Sequence, residues 1–125
     1  ASADRRQRAM LQLVTDERER VLFTCNETAL VTLHGAVNGR VDITDTCAYF
    51  YPSRSSNEND KQGPQRARRW PLSTLKQIAC RRYLLKETAV ELFFESGRAC
   101  LFNLRPSGAR DQFLDALRAA GVRFA

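Results

Sequence analysis

The clearest pattern of apolar and polar positions lies between Thr88 and Leu104. Thr88, Val90, Leu92 and Phe94 alternate with Ala89, Glu91, Phe93 and Glu95. A period of two marks a strand with one apolar face. After a polar break the alternation resumes, with Cys100, Phe102 and Leu104 in step. A three-residue loop at Glu95-Ser96-Gly97 sets Leu92 against Cys100 and Val90 against Phe102, with Gly97 supplying the positive φ such a loop needs. A two-residue loop would mix the faces, so the pattern selects the longer one. In this register Phe93 faces Ala99 and Glu91 faces Leu101. Phe93, Ala99 and Leu101 then form an apolar spot on the side that should be wet. Either a second core layer or a terminal segment covers it, or it is a docking surface for another domain.

The same reading extends along the chain. A first strand falls within Val21 to His34, with a bend or bulge at Asn26-Glu27. Gly35 to Gly39 reads as a turn, and Arg40 to Thr44 with Cys47 to Tyr51 as a hairpin. Residues 52–68, PSRSSNENDKQGPQRAR, hold no large apolar side chain and predict a mobile loop between strands. Trp70-Pro71-Leu72 restarts order, and Pro71, lacking an amide donor, marks a sheet edge. Leu75 to Leu85 is a strand interrupted at Arg81-Arg82. From Pro106 to Ala120 the period becomes helical: Ser107 is the expected N-cap, Phe113, Leu117 and Ala120 share one face, and Gly121 ends the helix. Residues 1–20 form a polar arm with room for a short helix from about Asp4 to Thr15. The expectation is one mainly β domain over residues 21–125. Seven short strands form a bent sandwich or partly open barrel, and one C-terminal helix packs on the opening. That order describes a pleckstrin-homology-like fold.

Composition narrows the chemistry. The four cysteines, at 25, 47, 80 and 100, lack CxxC spacing, and His34 is the one histidine, so no metal site is expected. Cys47, Cys80 and Cys100 sit in apolar strands as small hydrophobes, and free thiols suit the cytosol. No run of ~18 apolar residues is present, and the first residues are not a secretory leader. The initial Ala1 suggests an excised or processed fragment. Nothing supports catalysis or a cofactor: there is no Gly-rich phosphate loop and no HExxH, and Asp42, Asp45 and Asp60 read as turn formers. The net charge of +6 comes mainly from Arg clusters at Arg5, Arg6 and Arg8, at Arg66, Arg68 and Arg69, and at Arg81 and Arg82. Such clusters are either solvated surface or sites for acidic partners. Aromatics are not interleaved with them, so nucleic acid is not an expected partner.

Two blocks carry a family resemblance. One is Leu30 to Tyr51, containing Gly39-Arg40-Val41-Asp42-Ile43-Thr44 and Ala48-Tyr49-Phe50-Tyr51. The other is Trp70 to Leu104, containing Arg81-Arg82-Tyr83-Leu84-Leu85, Thr88-Ala89-Val90-Glu91-Leu92-Phe93 and Phe102-Asn103. Together they resemble the pleckstrin-homology-like domain that precedes the BEACH domain in the neurobeachin and neurobeachin-like family. The resemblance implies a non-catalytic scaffold module in vesicle and membrane traffic, cytoplasmic and peripheral to intracellular membranes. It implies packing on the adjacent BEACH domain and a share in a groove for protein ligands.

Candidate site residues follow. Phe93 and Leu101, with Arg81 and Arg82, are the expected interaction surface, the arginines either anchoring a partner's carboxylate or pairing with local Glu. Arg66, Arg68 and Arg69 are the expected contact with an anionic membrane, at about 1 kcal/mol per basic residue near the surface. Phosphoinositide recognition is the rival function. It needs several Lys or Arg from the first inter-strand loop, and His34 to Arg40 holds one Arg and no Lys.

Overall fold

A computed structural model describes residues 19–53 and 66–124. The short helix expected near Asp4 to Thr15 and most of the loop expected at 52–68 lie outside the described residues. Seven strands form one antiparallel sheet: β1 (Val21–Thr32), β2 (Gly35–Thr44), β3 (Cys47–Pro52), β4 (Arg68–Pro71), β5 (Leu75–Tyr83), β6 (Lys86–Phe94) and β7 (Ala99–Leu104). The spatial order is β4-β3-β2-β1-β7-β6-β5, so β1 lies at the centre and β4 and β5 are the edges. A 3-10 turn, Leu72–Thr74, joins the two edge strands, and the helix α1 (Ala109–Ala119) follows β7. The sheet curls into a half-barrel of pleckstrin-homology type, with α1 against its open side.

The core is the inner face of this sheet. Val41, Ile43, Phe50, Val90, Leu92, Phe102 and Leu104 are fully buried, and α1 adds Phe113 and Leu117. Phe113 stops the opening: its ring lies 5.9 Å from Phe23, edge-on, and 6.1 Å from Phe102. Trp70 stacks on Phe94 at 6.3 Å and meets Phe102 edge-on at 5.6 Å, so it is a core residue. The β6–β7 register agrees with the alternation: Leu92 pairs with Cys100, Val90 with Phe102 and Phe93 with Ala99. Gly97 sits at φ 88 and donates its N–H to the Phe94 carbonyl, closing the three-residue loop. The break at Asn26-Glu27 is a register shift between Cys25 and Thr28, and the irregularity at the double arginine falls between Arg81 and Tyr83.

Four expectations are corrected at once, and a fifth, for Asp42, with the outer layer below. Gly35 to Gly39 is not a turn. The β1–β2 turn is Leu33-His34, held by the Thr32 hydroxyl, which donates to the Gly35 carbonyl at 2.8 Å and accepts from the His34 N–H at 3.2 Å. The strand expected to reach Leu85 ends at Tyr83, and Leu84-Leu85 form the turn. Ser107 does not cap α1; Gly108 holds that position at φ 78, without a side-chain cap. Cys80, on the edge strand β5, is exposed instead of packed. The other end of α1 follows expectation. Gly121 is left-handed at φ 94, its N–H reaches the Arg118 carbonyl, and the Val122 N–H reaches that of Leu117, a Schellman cap.

Candidate interaction surfaces

Side chains alternate across the sheet, so the ladder pairings define the outer face of β5, β6 and β7 as cross-strand rows. Gln77, Phe93 and Ala99 form one row; Ala79, Glu91, Leu101 and Val31 the next; Arg81, Ala89, Asn103 and Ala29 the third. Phe93 and Leu101 thus share a face, as expected, and both are partly buried rather than sealed in the core. Arg81 runs diagonally to Glu91, Nε to Oε1 at 3.0 Å. Arg82 reaches Glu87 at 3.2 Å through Nη2 and 3.3 Å through Nε. Both arginines are therefore matched by glutamates of β6. The helix braces the same hairpin: Arg110 Nη1 donates to the Arg81 and Ala89 carbonyls, each at 3.2 Å.

Arg66, Arg68 and Arg69 lie elsewhere, before and within the opposite edge strand β4, and all three are exposed. Arg68 and Arg69 do not converge. Arg68 pairs with the core residue Phe50 and Arg69 with the outward Tyr49, so successive side chains leave opposite faces.

A feature the alternation did not reveal lies on the outer face of β2 and β3. Cys47, Tyr49 and Tyr51 all point away from the core, yet all are buried. The two tyrosine rings stack at 6.2 Å and 15°. The Glu19 carboxylate accepts the Tyr49 hydroxyl, at 2.8 Å to each oxygen, and the Thr46 hydroxyl at 2.8 Å. Burial first, then the Glu19 carboxylate, pushes the Tyr49 phenol well above its usual pKa. Asp42 belongs to this layer and is a buried strand residue, not a turn former. Burial raises its carboxyl, and Arg40, 3.2 Å away, partly offsets that. The Arg40 guanidinium also lies 4.6 Å above the Tyr51 ring. The sequence signal was the run Cys47 to Tyr51, apolar at every position, which marks a strand buried on both faces.

A groove of about 620 Å³ runs between the β2–β3 turn, the 3-10 turn and the end of α1, lined by Cys47, Arg69, Leu72, Leu75, Val122 and Arg123 among others. Among the described residues no cluster of His, Cys, Asp or Glu is arranged to hold a metal ion. Among them, too, no helix is long and apolar enough to cross a membrane.

The family model described as PH domain associated with Beige/BEACH matches residues 28–118. Among solved structures, the C-terminal domain of an unknown protein from Leishmania infantum superposes with a TM-score of 0.70 at 16% identity, over 97% of this chain and 99% of that one. The linker-DH/PH domains of p115-RhoGEF superpose with a TM-score of 0.61 at 10% identity, over 94% of this chain and 34% of that one. At these identities the two structures establish the fold alone. The family model spans both edges of the sheet and most of α1, from Thr28 in the central strand β1 to Arg118 in the last turn of the helix, and the chain belongs to the PH domains associated with Beige/BEACH.

Proposed function

We propose that this domain is a non-catalytic protein-interaction module of a large BEACH-type scaffold of the neurobeachin-like kind, working in vesicle and membrane traffic on the cytoplasmic side of intracellular membranes. It docks the adjacent BEACH domain with the outer face of β5, β6 and β7. The observation that carries this reading is the partly exposed apolar spot of Phe93 and Leu101, set beside two exposed Arg–Glu pairs. Exposed ion pairs are worth about 0–1 kcal/mol, so a partner carboxylate can replace Glu87 on Arg82 at little cost. The groove beside Arg69 and Arg123 is the candidate seat for a protein ligand.

Titration calorimetry of this chain with a BEACH domain tests the proposal. Phe93→Asp and Arg82→Glu should each weaken binding about tenfold or more. Arg82 is exposed, so its substitution leaves the fold intact. Wild-type affinity in both variants would remove this surface from the interface. A weak contact with anionic membranes through Arg66, Arg68 and Arg69 is a second reading, favoured by their exposure. It requires flotation with anionic vesicles that fades as salt rises.

A further inference from the structure

The tip of the β5–β6 hairpin breaks a local rule. Tyr83 pairs with Lys86, leaving a two-residue turn of Leu84 and Leu85. Both residues adopt positive φ, 50° and 69°. A two-residue turn with positive φ at both positions belongs to Asn and Gly, because a Cβ there crowds the backbone. Leucine is among the poorer choices, and here it occupies both positions. Neither side chain is used by the fold: Leu84 is 78% exposed and Leu85 94%. Leu33, also exposed, is different, since it stands alone and neither it nor His34 has a positive φ. A single exposed leucine is ordinary, whereas two in a strained turn concentrate apolar surface where solubility and backbone geometry both oppose it.

The tip is joined to the fold through its two strands. Its base is crossed by the Arg81–Glu91 and Arg82–Glu87 pairs, and Arg110 ties both strands to α1. It continues the outer surface that carries Phe93 and Leu101, because Arg81 lies in the cross-strand row next to that of Ala79, Glu91 and Leu101. Charge decides the kind of partner. An anionic bilayer would be met best by a ring of unpaired cations around the apolar tip. Here Arg81 and Arg82 are neutralised by Glu91 and Glu87, and Lys86 is the one tip cation without an acidic partner among the described residues. The balance suits a folded protein surface with an apolar socket.

We propose that Leu84 and Leu85 form a knob that enters an apolar socket on the BEACH domain. The inference rests on the docking role proposed above and identifies its deepest contact. Strain retained at an exposed turn is then the cost of presenting the knob.

The test is Leu84→Asn with Leu85→Gly in the full chain, which restores the residues the turn prefers. The variant should melt about 3–6 °C higher than wild type, because the strain is relieved. It should also bind a BEACH domain about 100-fold more weakly, because two buried leucines are lost. Higher stability with weaker binding is a combination that a purely structural turn cannot produce. A higher melting temperature with unchanged affinity overturns the knob but leaves the docking role standing. A lower melting temperature overturns it too, by showing that the leucines pack within the domain. Wild-type chain that binds no BEACH domain removes both proposals. Vesicles containing about 30% anionic lipid are the last arm: binding by wild type that the variant loses would assign the knob to a membrane and overturn the socket.

Discussion

Gly39→Ala should be among the most damaging single-atom additions to this domain. Gly39 lies in β2, paired with Thr28 on one side and Pro52 on the other. A Cβ built there would stand 2.3 Å from the Tyr51 carbonyl oxygen, 2.7 Å from the tip of the Phe50 ring and 3.0 Å from the Pro52 Cα. Two of these three neighbours are backbone, so a rotamer change cannot relieve the clash. Restoring ordinary contact requires β2 and β3 to part by about 1 Å. Overpacking of this kind costs about 1–3 kcal/mol, and each ladder hydrogen bond lost adds about 0.5–1.5 kcal/mol. The stiffer unfolded chain returns about 0.4–1 kcal/mol. The net expectation is a loss of about 2–4 kcal/mol, a large share of the stability of a domain this size. Urea denaturation followed by tryptophan fluorescence measures it directly, since Trp70 is the single tryptophan and is buried against Phe94. Gly35→Ala is the control: nothing lies within 4 Å, and only the φ of 120° opposes a side chain. It should cost about 1–2 kcal/mol. Gly39→Ala within about 0.5 kcal/mol of wild type would refute the close-approach account of this glycine.

Phe113→Ala should cost about 3–5 kcal/mol in the same assay, because the ring is fully buried between Phe23 and Phe102 and α1 has no other aromatic residue to fill the opening. Loss below about 1.5 kcal/mol would mean that the helix does not stopper the barrel. Stability should also fall in alkali. Burial raises the Cys100 thiol well above its ordinary 9.0, so the folded state holds that proton more tightly than the unfolded chain. Its contribution is complete below pH 9 and declines above it, by up to about 1.4 kcal/mol per pH unit. Tyr49, raised for the same reason and by Glu19, adds a second decline above its ordinary 10.0. A urea midpoint flat from pH 8 to 10.5 would contradict both burials, and Cys100→Ala should remove the first step alone.

What the sequence made legible was whatever depended on period. The β6–β7 register followed from placing Leu92 opposite Cys100, because a slip of one residue would have turned Phe94 and Phe102 outward. The helix followed from the change of period after Pro106, and its end from Gly121. What stayed illegible depended on contacts between distant segments. Gly39 looked like a turn glycine because glycine has two uses, and only the approach of Phe50 and Tyr51 separates them. The Leu84-Leu85 turn carries no Gly, Asn or Asp, so the strand pattern ran through it. Ser107 offered a better cap than Gly108, but Gly108 supplies the left-handed φ of the turn that starts at Pro106. Of the candidate site, Phe93 and Leu101 were placed on one face by alternation alone. The pairing of Arg81 and Arg82 with glutamates two positions along the partner strand, or across the turn, needed the ladder.

The distribution of charge bears on how such a domain chooses between a protein and a lipid surface. A net charge of +6 draws any anionic body at long range, but selective headgroup binding requires cations that converge and lack local partners. The β1–β2 turn, Leu33-His34, contributes no Lys or Arg. Arg68 and Arg69 leave β4 on opposite faces, and Arg40 is committed to Asp42 and Tyr51. On β5, Arg81 and Arg82 are held by β6. Among the described residues, these pairings leave short-range, directional chemistry intact: planar guanidinium groups beside an apolar spot, exposed enough to exchange a local for a foreign carboxylate. A surface of that kind discriminates by geometry and not by field strength. If this face docks a BEACH domain as proposed, Phe93→Asp should act chiefly on dissociation, whereas Arg82→Glu, at an exposed charge, should slow association and change its salt dependence.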